Sequence, residues 1–278
     1  MKKILNRVAV WLPMLTLFLS GAYLIYWYWD YRTAENAYDR LSEYVSVPSE
    51  QIPEHSGKRQ IETTDESESA QERPDTQPAV SQADVQPELP VVDWEAMRAY
   101  GKDIKAWLEI PCLGISYPVV QGEDNDQYLH HLPDGEYKSA GSLFMDCRNS
   151  DTFGDLNTII YGHNMKSGAM FGRFRDFTQE NYDIESRIWV LTPRETLVYR
   201  IVSFHVCDVG DESYTLFTNS DEKQSLAWIL GETEKSEISA VLPAYYMKNM
   251  LTLSTCTSRS DQRRVLQCVL IERIRGLR

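Results

Sequence analysis

Three patterns of apolar and polar residues divide the chain. From Val8 to Trp29 no residue is charged. From about Pro48 to Pro90 there is almost no large apolar residue, and Glu, Asp, Ser, Gln, Thr and Pro dominate. From Val91 onward, short apolar runs alternate with polar turns. The first stretch has roughly the 20 residues that a helix needs to cross a bilayer. Tyr23, Tyr26, Trp27, Tyr28 and Trp29 crowd its far end, as an aromatic belt at the headgroup level would. Bulky aromatics there, in place of small residues, favour a retained anchor over a cleaved signal peptide. Lys2, Lys3 and Arg7 precede the run, so the N-terminus is expected in the cytoplasm and the rest outside the cell. The acidic stretch cannot bury enough apolar surface to fold and is expected to be a disordered, extended linker. The expected division is residues 1–7 cytoplasmic, 8–29 a transmembrane anchor, 30–90 a juxtamembrane segment and linker, and 91–278 one folded domain.

Inside that domain, Asp93 can cap a short helix through Trp94, Met97 and Tyr100, with Gly101 as its stop. Strands are expected at Trp107–Ile110, Ile115–Val120, Gly141–Asp146, Asn157–Tyr161, Ile188–Leu191 and Leu197–Val209, and a helical turn at 125–131. Residues 220–236 have helical spacing, with Leu226, Ile229 and Leu230 on one face. Leu251 and Leu253 then alternate with Thr252 and Ser254, and a Val/Leu/Ile run follows Arg263-Arg264 across a short polar loop. That is an antiparallel hairpin. Many short strands with few helices suggest a barrel or closed sheet.

Composition narrows the function. The formal charge of −13 argues against a nucleic-acid partner, which would need a basic face. Five cysteines lack the paired spacing of a zinc site and the density of a disulfide framework. No cofactor is expected. Cys112, Cys207 and Cys268 lie in apolar stretches and read as inert core thiols; His205 reads as a core or half-exposed residue. The hairpin brings Cys256 beside one arginine of the pair 263–264, and a fixed positive charge favours a thiolate. Gly162 ends a strand and presents His163, a candidate base. Taken alone, a cysteine at a strand end is usually a small core residue, and a histidine after a strand is usually ordinary.

Taken together, these segments resemble the sortases, and among them class B. The resemblance rests on Thr158-Ile-Ile-Tyr-Gly-His163, on Leu251-Thr-Leu-Ser-Thr-Cys256, and on an arginine opening the next strand. It extends to Trp107-Leu-Glu-Ile-Pro111, Ile115-Ser-Tyr-Pro-Val-Val-Gln121, Asp124-Asn-Asp-Gln-Tyr-Leu129, Gly141-Ser-Leu-Phe-Met-Asp146 and Gly162-His-Asn-Met-Lys-Ser-Gly-Ala-Met-Phe171. It implies a mainly β fold: a closed barrel of about eight strands, helices before it and one long late helix. It also implies a membrane-bound cysteine transpeptidase that cuts a C-terminal sorting signal after threonine and passes the thioacyl group to an amine of a cell-wall precursor or a pilin. On this resemblance Cys256 is the nucleophile, His163 the acid and base, and Arg264 the oxyanion or substrate-backbone donor, with Arg263 solvated on the other face. Asn125 and Leu129 would line the sorting-signal groove, with Ser254 and Thr255 beside the thiol. The loop 257–263 departs from the family, which tends to carry aromatic or acidic residues just after the cysteine, and this leaves substrate preference open. The rival readings are a cysteine peptidase that only hydrolyses, and a tethered scaffold with a silent site.

Overall fold

The computed structural model describes residues 2–46, 90–217, 222–242 and 249–275, apart from the side chains of residues 2–10, 12 and 222. Eight strands close into a barrel. They are β1 (Ile104–Ile110), β2 (Ile115–Val120), β3 (Leu143–Met145), β4 (Asn157–Tyr161), β5 (Arg187–Leu191), β6 (Glu195–Asp208), β7 (Met250–Cys256) and β8 (Gln262–Arg275). Around the barrel they run β8-β6-β5-β1-β2-β3-β4-β7, and β7 closes on β8. Pairing is antiparallel except at β2–β3 and β4–β7. Closure removes the unpaired edges that short strands would otherwise expose.

The period-two pattern of β7 appears in the packing. Leu251 and Leu253 point into the main core, opposite Cys268 and Leu266 of β8. The alternate face is also covered, against the expectation of a half-solvated strand. Met250 and Val269 join Val202 and Ile229 in a second cluster beneath the late helix α3 (Glu222–Glu234). Thr252 donates to the Asn157 carboxamide, and Ser254 bonds the Tyr214 hydroxyl at 2.7 Å.

The buried face of α3 differs from the apolar spacing. Ser225, Ile229 and Glu232 face inward, whereas Leu230 is exposed. A polar network decides this phase. Glu232 accepts from Ser213, Gln267 and Lys235, and Lys235 also reaches Asp211. His205, expected as a core or half-exposed residue, is buried here, between Ser203 and Ser213, and burial pushes its pKa down.

The folded unit begins before Val91, contrary to the expected boundary. Helix α1 runs from Lys2 to Ser42, and its second half packs on the barrel. Ala34, Tyr38 and Leu41, spaced for one helical face, are buried. The Tyr38 hydroxyl donates to Gly141 O, and Asp30 accepts from the amide and hydroxyl of Ser139. Just beyond the helix, Asp93 N donates to Tyr44 O at 2.9 Å. Asp93 also caps α2 (Trp94–Tyr100), accepting from Glu95 N and Ala96 N. The acidic stretch expected as a linker lies outside the described residues, except at its ends.

Among the described residues no helix is long and apolar enough to cross a membrane. The expected anchor at Val8–Trp29 is therefore not borne by the described part of α1. Pro13, Thr16, Ser20, Gly21 and the Tyr/Trp cluster dilute its hydropathy, and Val8, Ala9, Val10 and Leu12 lie outside the described side chains.

Candidate active site

Two strand pairings bring the candidate residues together. Parallel pairing of β4 with β7 sets Tyr161 against Ser254, and Gly162 N donates to Ser254 O at 3.1 Å. The chain leaving β4 therefore delivers His163 beside Thr255 and Cys256. Gly162 is needed for close approach, since a Cβ there would collide with the side chains of Leu143 and Phe171. Asn164 Nδ2 donates to Cys256 O at 2.8 Å and ties the histidine loop to the end of β7. Cys256 itself is exposed, while the six residues before it in β7 are buried.

His163 is half-buried, and its Nε2 lies 2.7 Å from Leu129 O. A carbonyl can only accept, so Nε2 carries a proton and donates. Nδ1 is left for proton exchange. The His130 ring stacks on His163 with centroids 5.7 Å apart.

Antiparallel pairing of β7 with β8 sets Arg263 opposite Cys256 and Arg264 opposite Thr255. Residues directly opposite share a face, so the two arginines leave β8 on different sides. Arg263 lines the cleft that holds Cys256 and His163, which corrects the expectation that it is merely solvated. Its guanidinium donates to Ser260 O and Gln262 O, both at 2.9 Å. Arg264 lines a second depression, which also contains Cys256. Its guanidinium lies 5.4 Å from the centre of the Phe204 ring, and Nε is buried with no partner.

The first cleft has a volume of about 260 Å³. Asn125, Leu129, Ser254 and Thr255 all line it. Their polar atoms are not equally available. Asn125 donates to Asp146 and accepts from Cys147 N, and Ser254 is held by Tyr214. Thr255 Oγ1 is buried without a partner. Sequence reasoning missed Phe144 and Tyr161, whose rings pair at 5.3 Å in the wall of the cleft. Tyr161 was findable, since it lies two residues before His163 on a strand.

Asp146, fully buried, holds this wall. It accepts from Arg148 Nε and Nη2 at 2.8 Å, from the Tyr161 hydroxyl at 3.0 Å and from Asn125 at 3.1 Å. Burial alone would raise its pKa, but the Arg148 and Tyr161 bonds outweigh it and hold the carboxyl below its usual value. A depressed folded pKa gives stability that is present above the unfolded value of about 4 and lost as pH falls through the folded one. Asp146→Asn is therefore expected to cost about 1–3 kcal/mol in denaturant unfolding at pH 7, and the deficit to shrink at pH 3. An equal deficit at both pH values would refute the assignment.

The remaining thiols differ from one another. Cys268 is buried and Cys207 is pushed up to about 11, chiefly by burial, which suits unreactive thiols. Cys207 lies in a polar setting with Asp211, Ser213 and Tyr214, against the expectation of apolar surroundings. Cys112, also expected in the core, is exposed on the turn after β1. Among the described residues one group could hold a metal ion, His205, Cys207 and Asp211, and it does not line the cleft.

The sortase-domain family model matches residues 108–271, more than half of the chain. Sortase B of Listeria monocytogenes is 32% identical over 166 residues, covering 59% of this chain and 67% of the relative. Sortase B of Staphylococcus aureus is 28% identical over 164 residues, with the same coverage. Among solved structures, Clostridium perfringens sortase B superposes with a TM-score of 0.59 at 27% identity, covering 64% of this chain and 99% of that one. The S. aureus sortase B structure gives 0.58 at 28% identity, covering 69% and 90%. A sortase B–substrate complex from S. aureus gives 0.57 at 28%, covering 64% and 84%. A barrel of this topology, with cysteine and histidine brought to one cleft, agrees with these matches: the chain belongs to the sortase family, as a sortase B-type cysteine transpeptidase.

Proposed function

We propose that the enzyme cleaves a C-terminal sorting signal after threonine, holds the threonyl group as a thioester on Cys256, and transfers it to a cell-wall amine. The observation that carries this reading is the convergence of Cys256 and His163, with its unspent Nδ1, on one open cleft. Cys256 attacks the threonine carbonyl, and the peptide C–N bond breaks. His163, protonated, donates from Nδ1 to the leaving amine and later takes the proton of the incoming amine. Arg264 is the better oxyanion or backbone donor of the two arginines. Its guanidinium makes one long contact, from Nη1 to Phe174 O at 3.5 Å, while the Arg263 guanidinium is already bonded to two carbonyls. N–H donors left free in the depression that also holds the nucleophile are the arrangement that electrostatic stabilisation requires. The wall of Leu129, Phe144 and Tyr161 suits an extended peptide. Related sortase B structures bear on both substrates: one is described as a substrate complex, another as a complex with triglycine.

The acceptor is a peptidoglycan-precursor amine or, in a pilus-building role, a pilin amine. The basic N-terminus and uncharged run that follows support attachment to the membrane with the barrel outside the cell. The test is to incubate the full-length protein with a panel of sorting-signal peptides, with and without an amine acceptor, and to read the products by mass spectrometry. A cut after threonine with the acceptor joined is the expected result, and protease accessibility of the barrel in intact cells reports its orientation. Products of hydrolysis alone, at every acceptor concentration, would replace transfer by a peptidase, and no cleavage of any peptide would favour a silent scaffold.

A further inference from the structure

The end of β6, the turn at residues 211–214 and the end of α3 meet in a polar cluster that lies outside the cleft. It holds His205, Cys207, Asp211, Ser213, Glu232 and Lys235, and the transpeptidase reading uses none of them. Its hydrogens do not match its acceptors. The Ser203 hydroxyl reaches Glu232 O at 2.9 Å and His205 Nδ1 at 3.0 Å. A carbonyl can only accept, so both contacts are satisfied when Nδ1 carries the proton and donates to Ser203. Nε2 is then a bare lone pair on a residue that is 2% exposed. It faces the Ser213 hydroxyl at 3.3 Å. That hydroxyl has one hydrogen, and an oxygen of Asp211 and another of Glu232 each stand 2.6 Å from it. One hydrogen thus serves three acceptors. The charges are out of balance in the same sense: two carboxylates share the single ammonium of Lys235. Buried acceptors without donors are costly, and a cation set among them removes the cost.

We propose that this cluster binds a divalent metal ion of borderline softness, zinc above all, through His205 Nε2, Cys207 Sγ and an Asp211 oxygen. The ligand atoms of the three already lie within 4.8 Å of one another. Ligands of a tetrahedral zinc stand roughly 3.3–3.8 Å apart, so a closing of about 1 Å brings all three onto one ion. Glu232 Oε2, 3.8 Å from His205 Nε2, is placed as the fourth ligand. The supports that orient metal ligands are in place as well: Ser203 fixes the imidazole tautomer, and Gln267 Nε2 donates to Glu232 Oε2 at 2.9 Å. A set of nitrogen, sulfur and carboxylate oxygen suits zinc, whereas calcium and magnesium take oxygen. Lys235 marks the place where positive charge is wanted. Its Nζ bonds Asp211 at 2.8 Å and Glu232 at 2.7 Å, and its partly exposed side chain can swing outward as the ion enters. The Cys207 thiol gives its proton to solvent as the sulfur–metal bond forms. With four protein ligands the ion is structural. It pins the turn that carries Tyr214, whose hydroxyl bonds Ser254 in the wall of the cleft.

The experiment uses the full-length Cys256→Ala protein, so that the exposed thiol of the cleft takes no metal. Titration with Co²⁺ is expected to give a thiolate-to-cobalt charge-transfer band that saturates at one equivalent and is bleached by Zn²⁺. Zn²⁺ is expected to raise the Tm of the same protein. Cys207→Ser in this background is expected to lose the band and the rise in Tm. Ser203→Ala keeps every ligand but frees the imidazole, and is expected to keep the band while weakening the affinity by about 10–100-fold. Absence of the band in the Cys256→Ala protein, or a band that survives Cys207→Ser, would overturn the site. Should Cys207→Ser fail to fold, alkylation at position 207 of the Cys256→Ala protein decides the matter by peptide mass spectrometry. Slowing by Zn²⁺ supports the site, and an unchanged rate overturns it.

Discussion

Cys256→Ala is expected to abolish both cleavage and transfer, and His163→Ala to lower the rate by about 10²–10⁴-fold. Neither change is expected to unfold the barrel. Cys256 is exposed at the end of β7, and the hydrogen bond from Asn164 goes to its backbone oxygen, which alanine keeps. His163→Ala loses the bond to Leu129 O at the mouth of the cleft and leaves the β4–β7 ladder intact. The two variants are distinguishable by covalent capture. With a slowly hydrolysed peptide the histidine variant retains a thiol that can be alkylated at position 256, and the alanine variant does not. Turnover by Cys256→Ala above background would remove Cys256 as the nucleophile, and unimpaired turnover by His163→Ala would remove the imidazole from proton transfer.

The arginine pair gives the second large effect. Arg264→Gln is expected to lower kcat/KM for donor cleavage by about 10²–10³-fold, the usual cost of losing one preorganised donor at a developing oxyanion. Arg263→Gln is expected to cost less than about tenfold, because its guanidinium is already committed to Ser260 O and Gln262 O. The contrast is informative because the two side chains leave the same strand in opposite directions. The reverse order of effects would assign the oxyanion to Arg263 and the stack on Phe204 to structure alone.

Much of this site was legible before any coordinates. The alternation of Leu251 and Leu253 with Thr252 and Ser254 marks the strand that ends in Cys256, though both of its faces are buried. The glycine before His163 marks a close approach, and a close approach is what it serves. The arginine environment was not legible, because a hairpin loop sets register only once its backbone path is known. A shift of one residue there exchanges the faces of 263 and 264. The inner face of α3 was misread for a different reason. Leu226, Ile229 and Leu230 offered an apolar stripe, but Glu232 had partners waiting on Ser213, Gln267 and Lys235, and a buried carboxylate with its bonds complete sets the helix phase. The docking of α1 was hidden because the buried Ala34, Tyr38 and Leu41 are scattered among the polar and charged residues of its last turns, Asp30 to Ser42.

The bond from Asp93 N to Tyr44 O changes what the acidic stretch can accomplish. A tether lends distance only when its two ends can separate. Here Tyr44 and Asp93, on either side of that stretch, are joined backbone to backbone on the folded unit. For a flexible segment between two ends joined in this way, doubling the length costs only about 0.6 kcal/mol of closure entropy. How far the cleft stands from whatever holds the N-terminus is thus a matter of helix rise, about 1.5 Å for each residue of α1, and the length of the acidic insert is free to drift.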